Sequence, residues 1–289
     1  MSAIDSLFEK LRKEKRKAFM PFVTAGDPDL DFTAAVLEEF SRRGCQLCEV
    51  GIPYSDPIAD GPVIQASYTR ALAKKVKLDQ IFKCVGGVAG ATGVASATSG
   101  AIGSASAESA RKLSAAMVTM VSYAIVYRHG LQKYVDDARR AGFTGAIVPD
   151  LLVEESAELA KICRAADFSL IQLITPTTPR ERALRIAAAT TGFIYYVSVT
   201  GITGERRELP PELIDNVGWL REQTPLPVCI GFGISTPEHV KLLAPVADGL
   251  IVGSGVVRRI AAASEGGKSK ADVLADVGQY VASLQAALG

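Results

Sequence analysis

Residues 143–197 read FTGAIVPDLLVEESAELAKICRAADFSLIQLITPTTPRERALRIAAATTGFIYYV, and the order of apolar runs in this stretch decides the fold. Gly145–Val148, Ser169–Ile174 and Phe193–Val197 are short, uncharged and largely apolar. Strands covered on both faces have this composition, whereas half-exposed strands alternate apolar with polar residues. Between these runs, Glu154–Ala165 and Arg180–Ala189 place apolar residues at helical spacing among charges. Strand, helix and strand in that order form a parallel βαβ unit.

The same beat runs outward from this stretch. Upstream, Ala18–Thr24 reads as a strand, and Phe32, Val36, Leu37 and Phe40 mark one face of a helix closed by Gly44. Leu47–Gly51 is the next strand, followed by a loop rich in Pro, Asp and Gly and a helical stretch from Ile64 onward. Met117–Tyr123 is predicted as a strand and Leu131–Ala141 as a helix. Downstream, the helix Pro211–Gln223, the strand Pro227–Ile230, the helix Pro237–Ala244 and the strand Gly249–Val252 continue the alternation. A helix opens near Gly255 and another spans about Ala271–Leu288. Eight strand candidates, each followed by a helix, predict an α/β fold, a (β/α)8 TIM barrel formed by residues 1–289 as one domain. An open doubly wound sheet would need a G-x-G-x-x-G loop after its first strand, and Thr24–Pro28 reads TAGDP. Ile4, Leu7, Phe8 and Leu11 add an amphipathic N-terminal helix.

One segment breaks the beat. Cys84–Ala107 is uncharged and almost wholly Gly, Ala, Ser and Thr. It reads as the end of a helix followed by a flexible insertion, residues 86–107, before strand three. Its many small and hydroxylic residues give too little transfer free energy for a membrane span, and no aromatic belt flanks it. A net charge of +1 provides no general attraction for nucleic acid or anionic lipid. The five cysteines are odd in number and scattered through apolar segments, which argues for buried thiols in a reducing cytoplasm. Cys45 and Cys48 form a C-x-x-C spacing with no second pair and no adjacent His. The N-terminus carries Asp5, Glu9 and Glu14 and resembles no targeting segment.

In such a barrel, reactive groups lie at the C-terminal ends of the strands and in the loops that follow. Alternation along strand two puts Leu47, Glu49 and Gly51 on one side and Cys48 and Val50 on the other. A carboxyl group held among apolar neighbours is desolvated, stays protonated near neutrality and suits a general acid. The alternative is a Glu paired with Lys or Arg at the barrel rim. Asp60, in the following loop, is expected to be more hydrated and ionised, giving two carboxyl groups with separated pKa values. Its alternative is a simple turn role in Asp60-Gly61-Pro62.

Glycines cluster after strands seven and eight, as Gly231-Phe232-Gly233-Ile234-Ser235 and Gly253-Ser254-Gly255. Exposed backbone N–H groups and a helix N-terminus at that position favour a phosphate. Gly201-Ile202-Thr203-Gly204, after strand six, supplies further donors. With only His129 and His239 present, no His-based triad or metal site is expected, and no Walker motif occurs. The inventory is therefore two carboxylates and a phosphate cradle, with no metal, cofactor or covalent nucleophile.

The stretches Pro21-Phe22-Val23-Thr24-Ala25-Gly26-Asp27-Pro28 and Glu49–Gln65 resemble the signature of the tryptophan synthase α chain family. Pro149-Asp150-Leu151, Glu154-Glu155-Ser156, Gly201–Gly204, Gly231–Ile234 and Gly253-Ser254 are similar to the same family, from about Phe8 to Ile260. The resemblance implies a lyase that cleaves indole-3-glycerol phosphate to indole and glyceraldehyde 3-phosphate, with no cofactor of its own. It implies a PLP-dependent β chain that consumes the indole within an α2β2 heterotetramer. On this basis Glu49 and Asp60 are catalytic, Phe22 and Tyr195 line the indole pocket, and Gly204, Phe232, Gly233, Gly253 and Ser254 cradle the phosphate. Thr203 belongs to a mobile loop that closes over substrate, and Pro53, Asp56 and Pro57 lie on the surface that meets the β chain. The chain departs from the family at Ser122-Tyr123-Ala124-Ile125-Val126, where a Tyr-Asn-Pro type motif is usual, and at Leu152, where Pro is usual. Its Thr203 loop is shorter than in many relatives. These departures raise a second reading, a stand-alone lyase releasing free indole; a third is a binding subunit that retains the phosphate site and mainly activates the β chain, which intact Glu49 and Asp60 argue against.

Overall fold

The computed structural model describes residues 2–57, 60–90, 113–198, 211–231 and 233–289. Among them lie nine strands: β1 Ala18–Thr24, β2 Leu47–Gly51, β3 Ala116–Met120, β4 Phe143–Ile147, β5 Ser169–Ile171, β6 Leu173–Ile174, β7 Ile194–Val197, β8 Val228–Gly231 and β9 Gly249–Val252. The helices are α1 Ala3–Lys13, α2 Leu30–Arg42, α3 Pro62–Ala73, α4 Leu78–Ala89, α5 Tyr123–His129, α6 Leu131–Arg140, α7 Ala157–Ala165, α8 Arg180–Ala189, α9 Pro211–Gln223, α10 Pro237–Leu243, α11 Ser254–Ser264 and α12 Lys270–Leu288.

All strand pairs are parallel, in the order β5-β4-β3-β2-β1-β9-β8-β7-β6. The two edge strands of that order are consecutive in the chain and separated only by Gln172, so the sheet curls into a TIM barrel. The eight expected strands are present, with the fifth divided. Ser169–Ile171 pairs with β4 and Leu173–Ile174 pairs with β7. In a sheared barrel each half of a short strand reaches only one neighbour, which accounts for the break.

Three boundaries differ from the sequence reading. Strand three stops at Met120, because Ser122 Oγ accepts from Ala124 N and starts α5, and Asp150 accepts from both Ser122 Oγ and Tyr123 N at 2.7 Å. The helical stretch from Ile64 starts two residues earlier, at Pro62, and is divided at Lys75, whose φ is +57°. Helix α4 continues through Gly86–Ala89, into the segment expected as an insertion; the remainder of that segment, from residue 91 onward, lies outside the described residues.

Alternation along the strands creates two apolar layers. Val23, Cys48, Val50 and Ala146 face the surrounding helices, while Met20, Phe22, Leu47, Val118, Ile147 and Ile251 fill the barrel interior. Helix α1 closes the N-terminal end of the barrel. Its Ile4, Phe8 and Leu11 join the interior cluster, and the rings of Phe8 and Phe193 lie 5.9 Å apart. Ser2 caps α1 and accepts from Ser169 Oγ at 3.0 Å, tying the helix to the start of β5. Cys45 and Cys48 are both buried in the outer layer, and burial pushes the Cys45 thiol up to about 12, so neither is poised as a thiolate. No helix among the described residues is long and apolar enough to cross a membrane.

Candidate active site

The opposite, C-terminal end of the barrel interior opens into a cavity of about 380 Å³. Phe22, Glu49, Asp60, Tyr195, Gly233, Gly253 and Ser254 all line it. Seven of the residues singled out from the sequence are thus brought to one space. Thr203, Gly204 and Phe232 lie outside the described residues. Pro53, Asp56 and Pro57 sit elsewhere, on the loop after β2, where Asp56 is exposed and Pro57 half-buried, while Pro53 is buried rather than at the surface as expected.

Glu49 is placed by β2, between Phe22 of β1 and Val118 of β3 in register. It is 1% exposed, and its Oε2 has no hydrogen-bond partner. Among the described residues no Lys or Arg pairs with it, so these residues give the rim ion-pair alternative no support. Burial, and secondarily the Asp60 carboxylate, push its pKa up to about 8. At neutral pH the group is mostly protonated and can deliver a proton.

Asp60 is held by its loop. Its N–H donates to Pro57 O at 3.1 Å, and Gln65 Nε2 donates to both Asp60 O at 2.8 Å and Pro57 O at 3.2 Å. The side chain is 8% exposed, less hydrated than a loop position suggested. Burial raises its pKa to about 6, and a hydrogen bond from Tyr54 Oη to Oδ2 at 3.3 Å opposes that rise. Asp60 is therefore mostly anionic at pH 7 while Glu49 is mostly neutral, so one end of the cavity holds a proton donor beside a proton acceptor.

The apolar wall explains two glycines. A Cβ at Gly51 would lie 2.4 Å from Phe22 Cζ, and one at Gly231 would lie 2.4 Å from Tyr195 Oη. Both rings occupy the space that a side chain on the adjacent strand would take. With Ile64, Met120 and Ile251 they form a flat-walled pocket beside the carboxyl groups, suited to an aromatic ring.

The other end of the cavity is polar backbone. Gly253 is the N-cap of α11 and offers no capping side chain, so the first turn, from Ser254, opens onto the cavity. Gly233, at φ +76°, approaches from the loop after β8. These groups form a site for a phosphate. Arg258, one helical turn beyond Ser254, also lines the cavity. It was not singled out in the sequence, although a basic residue four positions after a Gly-Ser helix start was a readable signal. Among the described residues, no group of three or more His, Cys, Asp or Glu side chains is placed to hold a metal ion. His129 lies at the end of α5, bonded to Asp137 at 2.7 Å, and His239 lies on α10.

The model of the family described as Tryptophan synthase alpha chain matches residues 8–95 and 93–286. The chain belongs to the tryptophan synthase alpha chain family. The tryptophan synthase alpha chain of Rhodopirellula baltica is 57% identical over 269 residues, covering 93% of this chain and 90% of that protein. The tryptophan synthase alpha chain of Caldanaerobacter subterraneus subsp. tengcongensis is 37% identical over 288 residues, covering 100% of both. Among solved structures, tryptophan synthase subunit alpha from Legionella pneumophila superposes with a TM-score of 0.84 at 30% identity, covering 100% of this chain and 98% of that one. The two stretches that depart from the tryptophan synthase alpha chain pattern adjoin exposed apolar side chains. Leu152 is 58% exposed, and Tyr127, on the helix begun by Tyr123, is 68% exposed.

Proposed function

We propose that Glu49 and Asp60 carry the reaction of this lyase, the cleavage of indole-3-glycerol phosphate to indole and glyceraldehyde 3-phosphate. The observation that supports the assignment is a buried, unpaired, protonated Glu49 beside an anionic Asp60, in an apolar cavity that ends on an open helix N-terminus. The indole ring lies between Phe22 and Tyr195. The phosphate is held by backbone N–H groups at Gly233, Gly253 and Ser254, completed by Gly204 and Phe232. Thr203 belongs to a loop that closes over the substrate and excludes water.

Glu49 gives its proton to indole C3 as Asp60 receives the ring N–H proton. The C3-protonated intermediate then breaks the bond to the glycerol side chain. Glu49, now a carboxylate, takes the proton of the adjacent hydroxyl as that carbon becomes an aldehyde. The bonding electrons return to the ring, and Asp60 returns the proton to nitrogen. Both carboxyl groups finish as they began, so no redox partner or metal enters the balance. The Glu49→Gln variant is expected to lose activity by about 10²–10⁴-fold or more, because one residue acts twice. Asp60→Asn loses it heavily as well. Turnover near that of the parent protein in Glu49→Gln, measured as indole release, would sink the assignment.

By family, the chain works with a β chain. We further read it as part of an α2β2 assembly in the cytoplasm, without a cofactor of its own, with the PLP held by the β chain. Pro53, Asp56 and Pro57 contribute to the contact, and residues 1–289 act as one barrel domain carrying the 86–107 segment as an insertion. The altered loops around Tyr123 and Leu152 favour a second reading, a lyase that works without its partner. Indole release that rises sharply on adding β chain supports the first, fast release indifferent to β chain supports the second, and analogue binding without release in either condition leaves a binding subunit.

A further inference from the structure

Tyr54 stands between two spaces. Its hydroxyl donates to Asp60 Oδ2 at 3.3 Å, and its ring packs against that of Tyr68 at 5.4 Å between centroids. The same residue lines a second, surface cavity of about 350 Å³ shared with Asp56, Ser122, Arg128 and Asp150. Asp60 receives no other side-chain hydrogen bond from the described residues; Gln65 binds only its backbone oxygen. The Tyr54 hydroxyl is therefore the one side-chain donor that these residues aim at the carboxylate.

We propose that Tyr54 is a positioning residue for the cleavage reaction, whose hydroxyl fixes Asp60 through Oδ2, keeps it an acceptor and leaves Oδ1 for the ring N–H of the substrate. The inference rests on the assignment of Asp60 as the group that meets that nitrogen. Phenylalanine at this position would keep the packing against Tyr68 and lose only the bond. A hydrogen bond to a charged acceptor is worth more than one to a neutral group, so its loss bears on the anion rather than on the neutral acid.

The other titratable groups facing Asp60 do not replace Tyr54. Glu49 of β2, itself pushed up by burial and then by the Asp60 charge, is a neutral acid at pH 7 and makes no hydrogen bond to Asp60, and neither do the phenols of Tyr68 on α3 and Tyr195 on β7. Arg258 of α11 lines the same cavity and makes no ion pair with Asp60. Burial, then the Asp60 charge and then that of Asp150 from the loop after β4, make the Tyr54 phenol harder to ionise, which keeps it a donor. Sequence reasoning passed over Tyr54 because it sits in a loop whose prolines and aspartates carried the recognisable pattern.

The test is the pH profile of kcat/KM for indole release by Tyr54→Phe, assayed with the β chain present. With less support for the anion, the acid limb moves to higher pH by about half a unit to one unit, equivalent to about 3–10-fold lower activity at pH 5. Above pH 8, where Asp60 is ionised in both proteins, any loss that remains reports orientation and stays below about 3-fold. KM changes less than kcat, since the ring pocket and phosphate cradle are untouched. An acid limb that coincides with that of the parent protein overturns the proposal. Asp60→Asn run in parallel separates the two ideas: its retained activity would remove the role of Asp60 itself, whereas an inactive Asp60→Asn with an unshifted Tyr54→Phe removes only the role of Tyr54.

Discussion

The two ends of the barrel interior are built from one alternating pattern and do opposite things. At the N-terminal end, Ile4, Phe8 and Leu11 of α1 meet Leu47 and Phe193 in a sealed apolar plug. At the C-terminal end, one alternation further along β2, the inward position is Glu49, and the helix that could have sealed the space is replaced by loops. Burial is the same in both places, with Leu47 at 0% and Glu49 at 1% exposure. What differs is what is buried. The plug gains the transfer free energy of its side chains, and the site gives up stability by holding an unpaired carboxyl group. A second buried glutamate makes the contrast plain, since Glu39 on α2 is paired with Arg42 and Arg43. A paired buried charge is structure, and an unpaired one marks a group kept ready to change its protonation state.

The largest separation of the two ends should come from Phe8→Ala. Removing a ring from a filled cluster costs about 3–5 kcal/mol of folding free energy. Denaturant unfolding should show that loss, while kcat/KM per folded molecule stays within about 2-fold of the parent value. A fall in activity with intact stability would mean that the plug and the site are not independent.

A smaller effect comes from pH. The folded pKa of Glu49, about 8, lies above its unfolded value near 4.5. Between these values the native state binds more protons than the unfolded state, so stability falls as pH rises and the loss is complete only above the folded value. Asp60 adds a change of the same sign between its ordinary value of 3.8 and about 6. Together they predict a decline on the order of 3 kcal/mol from pH 6 to pH 8.5. Glu49→Gln, which stays neutral, should flatten most of it. Parallel stability curves for the two proteins would show that Glu49 is not held as an acid.

How much of this was legible beforehand depends on the kind of signal. Period-two burial is local, so the inward direction of Glu49 and the outward direction of Cys48 follow from five letters of sequence. The barrel followed from the alternation of apolar strands with amphipathic helices. The break at Gln172 did not, because it arises from the shear of a closed sheet and not from the composition of the strand. The end of strand three at Met120 was hidden for a similar reason. Ser122 and Tyr123 are bound by Asp150, which lies on the next βα loop and is brought close only by the fold. Asp60 is less hydrated than its sequence position suggested, since loop membership predicts exposure and the fold buries this residue against the cavity. Arg258 was readable from its place four residues after a Gly-Ser helix start and was passed over, whereas Tyr54 became visible only when the fold of its loop brought its hydroxyl to Asp60.

The smallest predicted effect divides the glycines of the site by what they do. Gly51 and Gly231 leave no room for a Cβ, so alanine there would push aside Phe22 or Tyr195 and damage the wall of the pocket. Gly253 is different. A Cβ there would meet Ile64 Cδ1 and Phe22 Cβ at 3.7 Å, ordinary contact, and its φ of −102° is open to any residue. Folding therefore has no need of glycine at position 253. Gly253→Ala should leave unfolding free energy unchanged or raise it by a few tenths of a kcal/mol, through the restricted unfolded chain. The added methyl group would stand at the mouth of α11, where the backbone must approach a phosphate closely. KM should rise about 5–10-fold, equivalent to about 1 kcal/mol of binding, with kcat changing less. Inorganic phosphate should likewise compete less well against the substrate. A variant that is stable and keeps its KM would place the phosphate elsewhere in the cavity, with Arg258 the first residue to examine. A variant that unfolds would mean that Gly253 belongs with Gly51 and Gly231, as part of the wall.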